Sequence, residues 1–151
     1  MPGSFDPTSF MDASFEGQLD TKLVPVPIGE WAAVIEDPKM TEWKSKDGEK
    51  SGWKLSMMLK IEAPEVAAIT KRDINRVRHD IMLDITENGT LDMGPGKNIG
   101  LGQLREALGM NKPGEKFSFR SFDGKMLKTR VGHRTDGENT YAESKAVTAL
   151  S

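Results

Sequence analysis

Residues 125–134, KMLKTRVGHR, set cations at alternating positions. In an extended strand Lys128, Arg130 and Arg134 share one face with Gly132, and Leu127, Thr129, Val131 and His133 share the other. Three cations on the outer side of a strand need water or an anionic neighbour, and a nucleic-acid backbone is such a neighbour. Trp43 lies among Lys44, Lys46 and Lys50 in a polar stretch with no apolar period to bury its ring. Cations that follow phosphates and flat aromatics that stack on bases are the two requirements for holding a single strand, stacking contributing about 1–3 kcal/mol per base.

Further candidates for such a surface are Lys54 on the outward side of a strand and Arg76 and Arg78 in a basic segment. Arg120 and Phe122 lie on one side of their segment, Phe122 reading as a surface aromatic, and Tyr141 follows an Asp-Gly turn, placed to stack or to cap a sheet edge. The alternative for Lys128, Arg130 and Arg134 is a solvated face paired with Glu138 or Glu143 across a hairpin. It serves for any one of them better than for the set, because acids are scarce in that region.

Covalent chemistry has little to work with. The chain has no cysteine and two histidines, His79 and His133, too few for a zinc site without carboxylates. Gly94-Pro95-Gly96-Lys97-Asn98 lacks the spacing of a phosphate loop and the Ser or Thr that would hold magnesium. Asp80, Asp84 and Asp92 invite a nuclease reading, but Asp80 and Asp84 fall on an outward strand face, where acids are ordinarily solvated. No nucleophile motif is present. The expectation is a non-enzyme with no cofactor and no metal.

The elements that must position these residues follow from periodicity. Gly29–Asp37 reads as a strand with Trp31, Ala33 and Ile35 inward, and residues 38–52 as a polar loop that includes Trp43. In 53–61, Trp53, Leu55, Met57, Leu59 and Ile61 alternate inward, and 79–86 alternates again through Ile81, Leu83 and Ile85. Residues 63–79 are ambiguous and read as an excursion or long loop. Leu101, Leu104 and Leu108 form one helical stripe over 98–108, with Asn98 as N-cap and Gly109 as terminator. Residues 117–147 read as three strands joined by turns at Asp123-Gly124 and Asp136-Gly137.

The architecture expected is mainly β with one α-helix, an OB-fold-like Greek-key barrel of five or six strands over residues 29–151. A generic small barrel plugged by a helix gives the same pattern. Residues 1–28 read as an extended acidic arm bearing Phe5, Phe10 and Phe15. The absence of cysteine fits a reducing, cytoplasmic setting, and no apolar run reaches the ~20 residues of a membrane span.

Net charge is −2, yet it is unevenly divided. Residues 1–37 hold seven acids and one base. Residues 97–134 hold nine bases and three acids, so the positive field is local.

The segments LVPVPIGEW, GKNIGLGQLREALGMNKPGEKFSF and GKMLKTRVGHRTDGENTYAESKAV resemble a family of small bacteriophage proteins, single-stranded DNA-binding proteins among them. The resemblance covers about residues 5–150. It implies an OB-fold that coats single-stranded DNA in phage replication or recombination, in the host cytoplasm. Many single-stranded DNA-binding proteins end in an acidic tail with a terminal aromatic that recruits partners. This chain ends in Val147-Thr148-Ala149-Leu150-Ser151, and its acidic, phenylalanine-bearing segment is at the other end. Residues 1–20 are therefore expected to dock phage or host replication proteins, or to compete with DNA for the basic face. A homo-oligomer is compatible with the pattern. The alternative function is a phage structural or assembly protein whose arm joins subunits.

Overall fold

The structure, a computed structural model, describes residues 4–150. Five strands, β1 (Gly29–Lys44), β2 (Ser51–Ile61), β3 (Asn75–Met82), β4 (Met126–Asp136) and β5 (Asn139–Thr148), form one antiparallel sheet in the order β3-β2-β1-β4-β5. Three short helices accompany it: α1 (Pro7–Asp12), α2 (Pro64–Thr70) and α3 (Ile99–Ala107). No helix among the described residues is long and apolar enough to cross a membrane.

The period of two determines what is buried. Ala33 and Ile35 of β1, Leu55, Met57, Leu59 and Ile61 of β2, Val77 and Ile81 of β3, and Leu127 and Val131 of β4 line the inner face. Val66 of α2, Leu101 and Leu104 of α3, and Val26, Phe122 and Val147 also belong to the core. Trp53 keeps the inward register expected of it, yet it lies near the outer end of β2 and is 45% exposed, so it is not a core residue.

Three segments depart from the periodicity reading, each for a local reason. β1 does not stop at Asp37. Pro38 has no N–H to give to a neighbouring strand, and the chain absorbs it as a bulge: pairing with β2 slips between Glu36 and Lys39, and Asp37 takes φ +50°. Beyond the bulge the parity is reversed, and pairing runs on to Lys44 opposite Ser51. The ambiguous stretch 63–79 resolves into α2 and the first half of β3, so the third strand starts four residues earlier than alternation from His79 indicates.

The third departure is the segment expected to be the first strand of the closing meander. Phe119–Phe122 is a 3-10 turn. In a strand Phe117 and Phe119 would face one way and Phe122 the other. In a 3-10 turn residues i and i+3 eclipse, so Phe119 and Phe122 turn to the same side. All three rings then pack together, with centroids 6.0–6.3 Å apart. The Asp136-Gly137 hairpin forms as read, with Gly137 at φ +63° and Asp136 paired to Asn139.

Helix α3 sits between β3 and β4 and ends at Gly109, φ +68°, as expected. Asn98 stands at its N-cap position but does not cap it. Its backbone is left-handed, and its side chain accepts from the Asp84 amide (2.8 Å) and donates to the Asp84 and Asp92 carbonyls (2.9 Å each), fastening the loop to the end of β3.

Within residues 4–28, Pro7–Asp12 is helical rather than extended, and residues 21–26 lie against the body. Val26 is buried in the core, and its carbonyl meets His133 Nε2 at 2.7 Å.

Candidate nucleic-acid interface

The outer face of the sheet carries most of the candidate cations, in two groups. On β4, Lys128, Arg130 and Arg134 point away from the core residues Leu127, Thr129 and Val131. Lys128 is opposite Ala32 and Thr148, and Arg130 is opposite Glu30 and Ala146. Among the described residues Lys128, Arg130 and the exposed Arg120 have no ion-pair partner within 4 Å. Arg134 is different. Its guanidinium donates to Glu143 and lies over the Tyr141 ring, 4.9 Å from the centroid. Lys145 Nζ also reaches Glu143, at 2.9 Å, by laying its stem across Gly132. A Cβ at Gly132 would come within 2.9 Å of that stem, so the glycine leaves it room to lie flat. Hydrogen bonds from Lys145 and Arg134 hold the Glu143 carboxyl below its ordinary range.

The second group, on β2 and β3, is spoken for. Lys54 and Arg78 share Asp80, at 3.0 and 3.2 Å, and Arg76 and Lys60 share Glu36, at 3.0 and 3.6 Å. Burial pushes the Asp80 carboxyl up, but the Lys54 hydrogen bond and the charges of Arg78 and Lys54 more than offset it, leaving it below its usual range. The Arg76 hydrogen bond does the same for Glu36.

The aromatic candidates divide sharply. Trp43 is not on a loop: it is the second-last residue of β1, on the same face as Thr41 and Lys54, paired with Gly52. Its indole lies flat over Gly52, where any Cβ would sit 2.7 Å from the ring nitrogen. Exposed Lys44 follows it, 3.8 Å from Glu42, and Lys46 is exposed in the β1–β2 turn. Tyr141 is exposed beside Arg134. Phe122 is withdrawn from the interface, because the 3-10 turn drives it into the core with 0% exposure.

Periodicity assigned Trp53 to the core. Its ring helps to line a hollow of about 400 Å³ with Met40, Leu83, Ile85, Leu91 and Phe119. The signal available was its position near the start of its strand, directly after the polar run of residues 44–52.

One further group ties the two edge strands. Thr129 Oγ1 of β4 donates to Ser144 Oγ of β5 (2.7 Å), and the Ser144 hydroxyl is 2.8 Å from His79 Nδ1 of β3. Burial pushes the His79 pKa down against the opposing pull of Ser144 and Asp80. Comparison with known proteins found no family model and no curated protein that matches this chain.

Proposed function

We propose that this protein binds single-stranded DNA with little sequence preference, as a non-catalytic coat in phage replication or recombination, and that its sheet is an OB-like Greek-key barrel. Support for the barrel is the order of elements, with α3 between β3 and β4, and the His79–Ser144 hydrogen bond that brings β3 to β5.

The observation that carries the binding reading is the β4 face. Among the described residues Lys128 and Arg130 stand on it without ion pairs, next to Arg134 stacked on the exposed Tyr141 ring. An unpaired cation on a β-face offers its whole charge to a phosphate, and counterion release supplies the affinity. Tyr141 and Trp43 supply the flat surfaces for bases.

Tryptophan fluorescence titrated with oligo-dT at low and high salt tests this. The expected result is quenching that added salt reverses. No response to any oligonucleotide overturns it and favours the second reading, an assembly protein whose arm joins subunits, which the exposed phenylalanines of that arm support.

A further inference from the structure

Arg105 is a buried charge without a counter-charge. It is 8% exposed, near the C-terminal end of α3, and among the described residues it makes no ion pair. Nη2 donates to the Met110 carbonyl (2.8 Å) and reaches the Glu115 carbonyl at 3.5 Å, and the guanidinium carbon lies 3.9 Å from the centre of the Phe117 ring. Among the described residues the buried Nε and Nη1 have no acceptor. Carbonyls and a ring hold this group in place without neutralising it. A desolvated guanidinium with donors to spare suits an oxyanion.

Arg105 lines a hollow of about 130 Å³, and Lys97, Asn111 and Asp92 stand on the same wall. That is below the roughly 300–1,000 Å³ of pockets that take whole small molecules, so it fits a single ionic group. Asp92 is the one acid lining it. Its Oδ1 accepts from the Gly94 amide (3.0 Å), and it comes within ion-pair distance of neither cation, so two cations outweigh it.

A second hollow adjoins the first. It measures about 430 Å³, shares Asp92 and Lys97 with the smaller one, and has Trp43 and Trp53 among its walls. That volume admits a base. Asn98, which lines the smaller hollow, ties the two together: its backbone amide donates to Asp84 Oδ2 of the larger hollow (2.8 Å), and its side chain donates to the Asp84 and Asp92 carbonyls (2.9 Å each). Aromatic walls on one side of Lys97 and a buried guanidinium on the other offer separate seats to the base and the phosphate of one nucleotide.

We propose that the paired hollows bind a nucleoside monophosphate unit, its phosphate at Arg105 and Lys97 and its base against the tryptophans. The unit is a free mononucleotide or the phosphorylated end of a strand, and only the second source rests on the single-strand reading above. An internal phosphodiester carries a further nucleoside, for which the smaller hollow has no room.

Thermal unfolding of the full chain with dTMP, thymidine or inorganic phosphate tests it. The melting temperature should rise progressively with dTMP, rise less with inorganic phosphate and stay unchanged with thymidine. Lys97→Glu, at an exposed position, should weaken dTMP binding about tenfold, and Asp92→Asn should tighten it a few-fold. Arg105→Lys should weaken it as well; if that variant is itself unstable, Lys97→Glu still decides. A 5′-phosphate on oligo-dT should strengthen binding over the hydroxyl-ended strand in wild type and not in Lys97→Glu. Tight dTMP binding without that gain assigns the site to free mononucleotides. No response to dTMP overturns the proposal, as does thymidine acting equally well, or dTMP binding that Lys97→Glu leaves intact. Hydroxyl-ended oligo-dT carries no phosphomonoester, so failure here leaves the oligonucleotide titration unaffected.

Discussion

The cations of β2 and β3 and those of β4 occupy the same outer face, yet only one group has charge to give. Lys54, Lys60, Arg76 and Arg78 are gathered around two carboxylates, Asp80 and Glu36, while Lys128 and Arg130 have alanine or threonine beside them and one acid, Glu30, that does not come within ion-pair distance. A paired cation must give up its partner before it can take a phosphate. Counting basic residues along the chain misses this distinction, because it depends on which acids the register brings alongside.

Charge reversal at the unpaired pair, Lys128→Glu with Arg130→Glu, is expected to have the largest effect. Two lost charge-assisted contacts at about 1.5 kcal/mol each weaken oligo-dT binding roughly a hundredfold. The salt dependence should flatten as well, by about 0.7 in logarithmic slope per phosphate contact. Thermal unfolding should hardly change, both positions being on the surface. Equal losses from reversing Arg76 and Arg78 instead would erase the distinction between the two groups.

Tyr141→Ala should weaken binding about tenfold through lost stacking. Because no cation is removed, the slope against salt should stay as in wild type. A change of slope would assign Tyr141 to positioning Arg134 rather than to bases.

Asp80→Asn gives a smaller effect of opposite sign. Freed of their shared carboxylate, Lys54 and Arg78 should tighten oligo-dT binding a few-fold, and fluorescence anisotropy would register it. Unchanged or weaker binding would mean that the β2–β3 face takes no part even when its charge is released.

The smallest effect concerns stability alone. Burial holds the His79 pKa below the ordinary 6.5, against the opposing pull of Ser144 and Asp80. Above pH 6.5 both folded and unfolded chains carry a neutral ring, and stability is full. As pH falls below 6.5 the unfolded chain takes up a proton that the folded one refuses, and stability declines until the folded pKa is passed. The melting temperature should therefore drop on acidification through this window, and His79→Gln should remove that part of the slope.

Much of the fold was legible because burial imposes a period of two. Leu55 to Ile61, Leu127 to Val131, the α3 stripe and the Asp136-Gly137 turn all read directly from the residues. The misreadings arose where a single backbone constraint breaks the period. Pro38 forces a bulge that carries β1 past its expected end and sets Trp43 on a strand. At Phe119–Phe122 three aromatic rings gain more from a 3-10 turn than from alternation, and Phe122 goes inside. Of the candidate surface, the β4 cations were legible as a set. Pairing with Glu143 was legible as an alternative for any one of them; that it falls to Arg134 depends on the register of β4 on β5, which brings Glu143 beside it.

The arm's attachment also bears on how load travels through the molecule. Between its exposed phenylalanines and Gly29, the chain is hydrogen-bonded to Glu138 at the β4–β5 hairpin, to Arg72 beside β3 and to His133 on β4. Force applied to the phenylalanines is therefore shared between both margins of the sheet before it reaches β1.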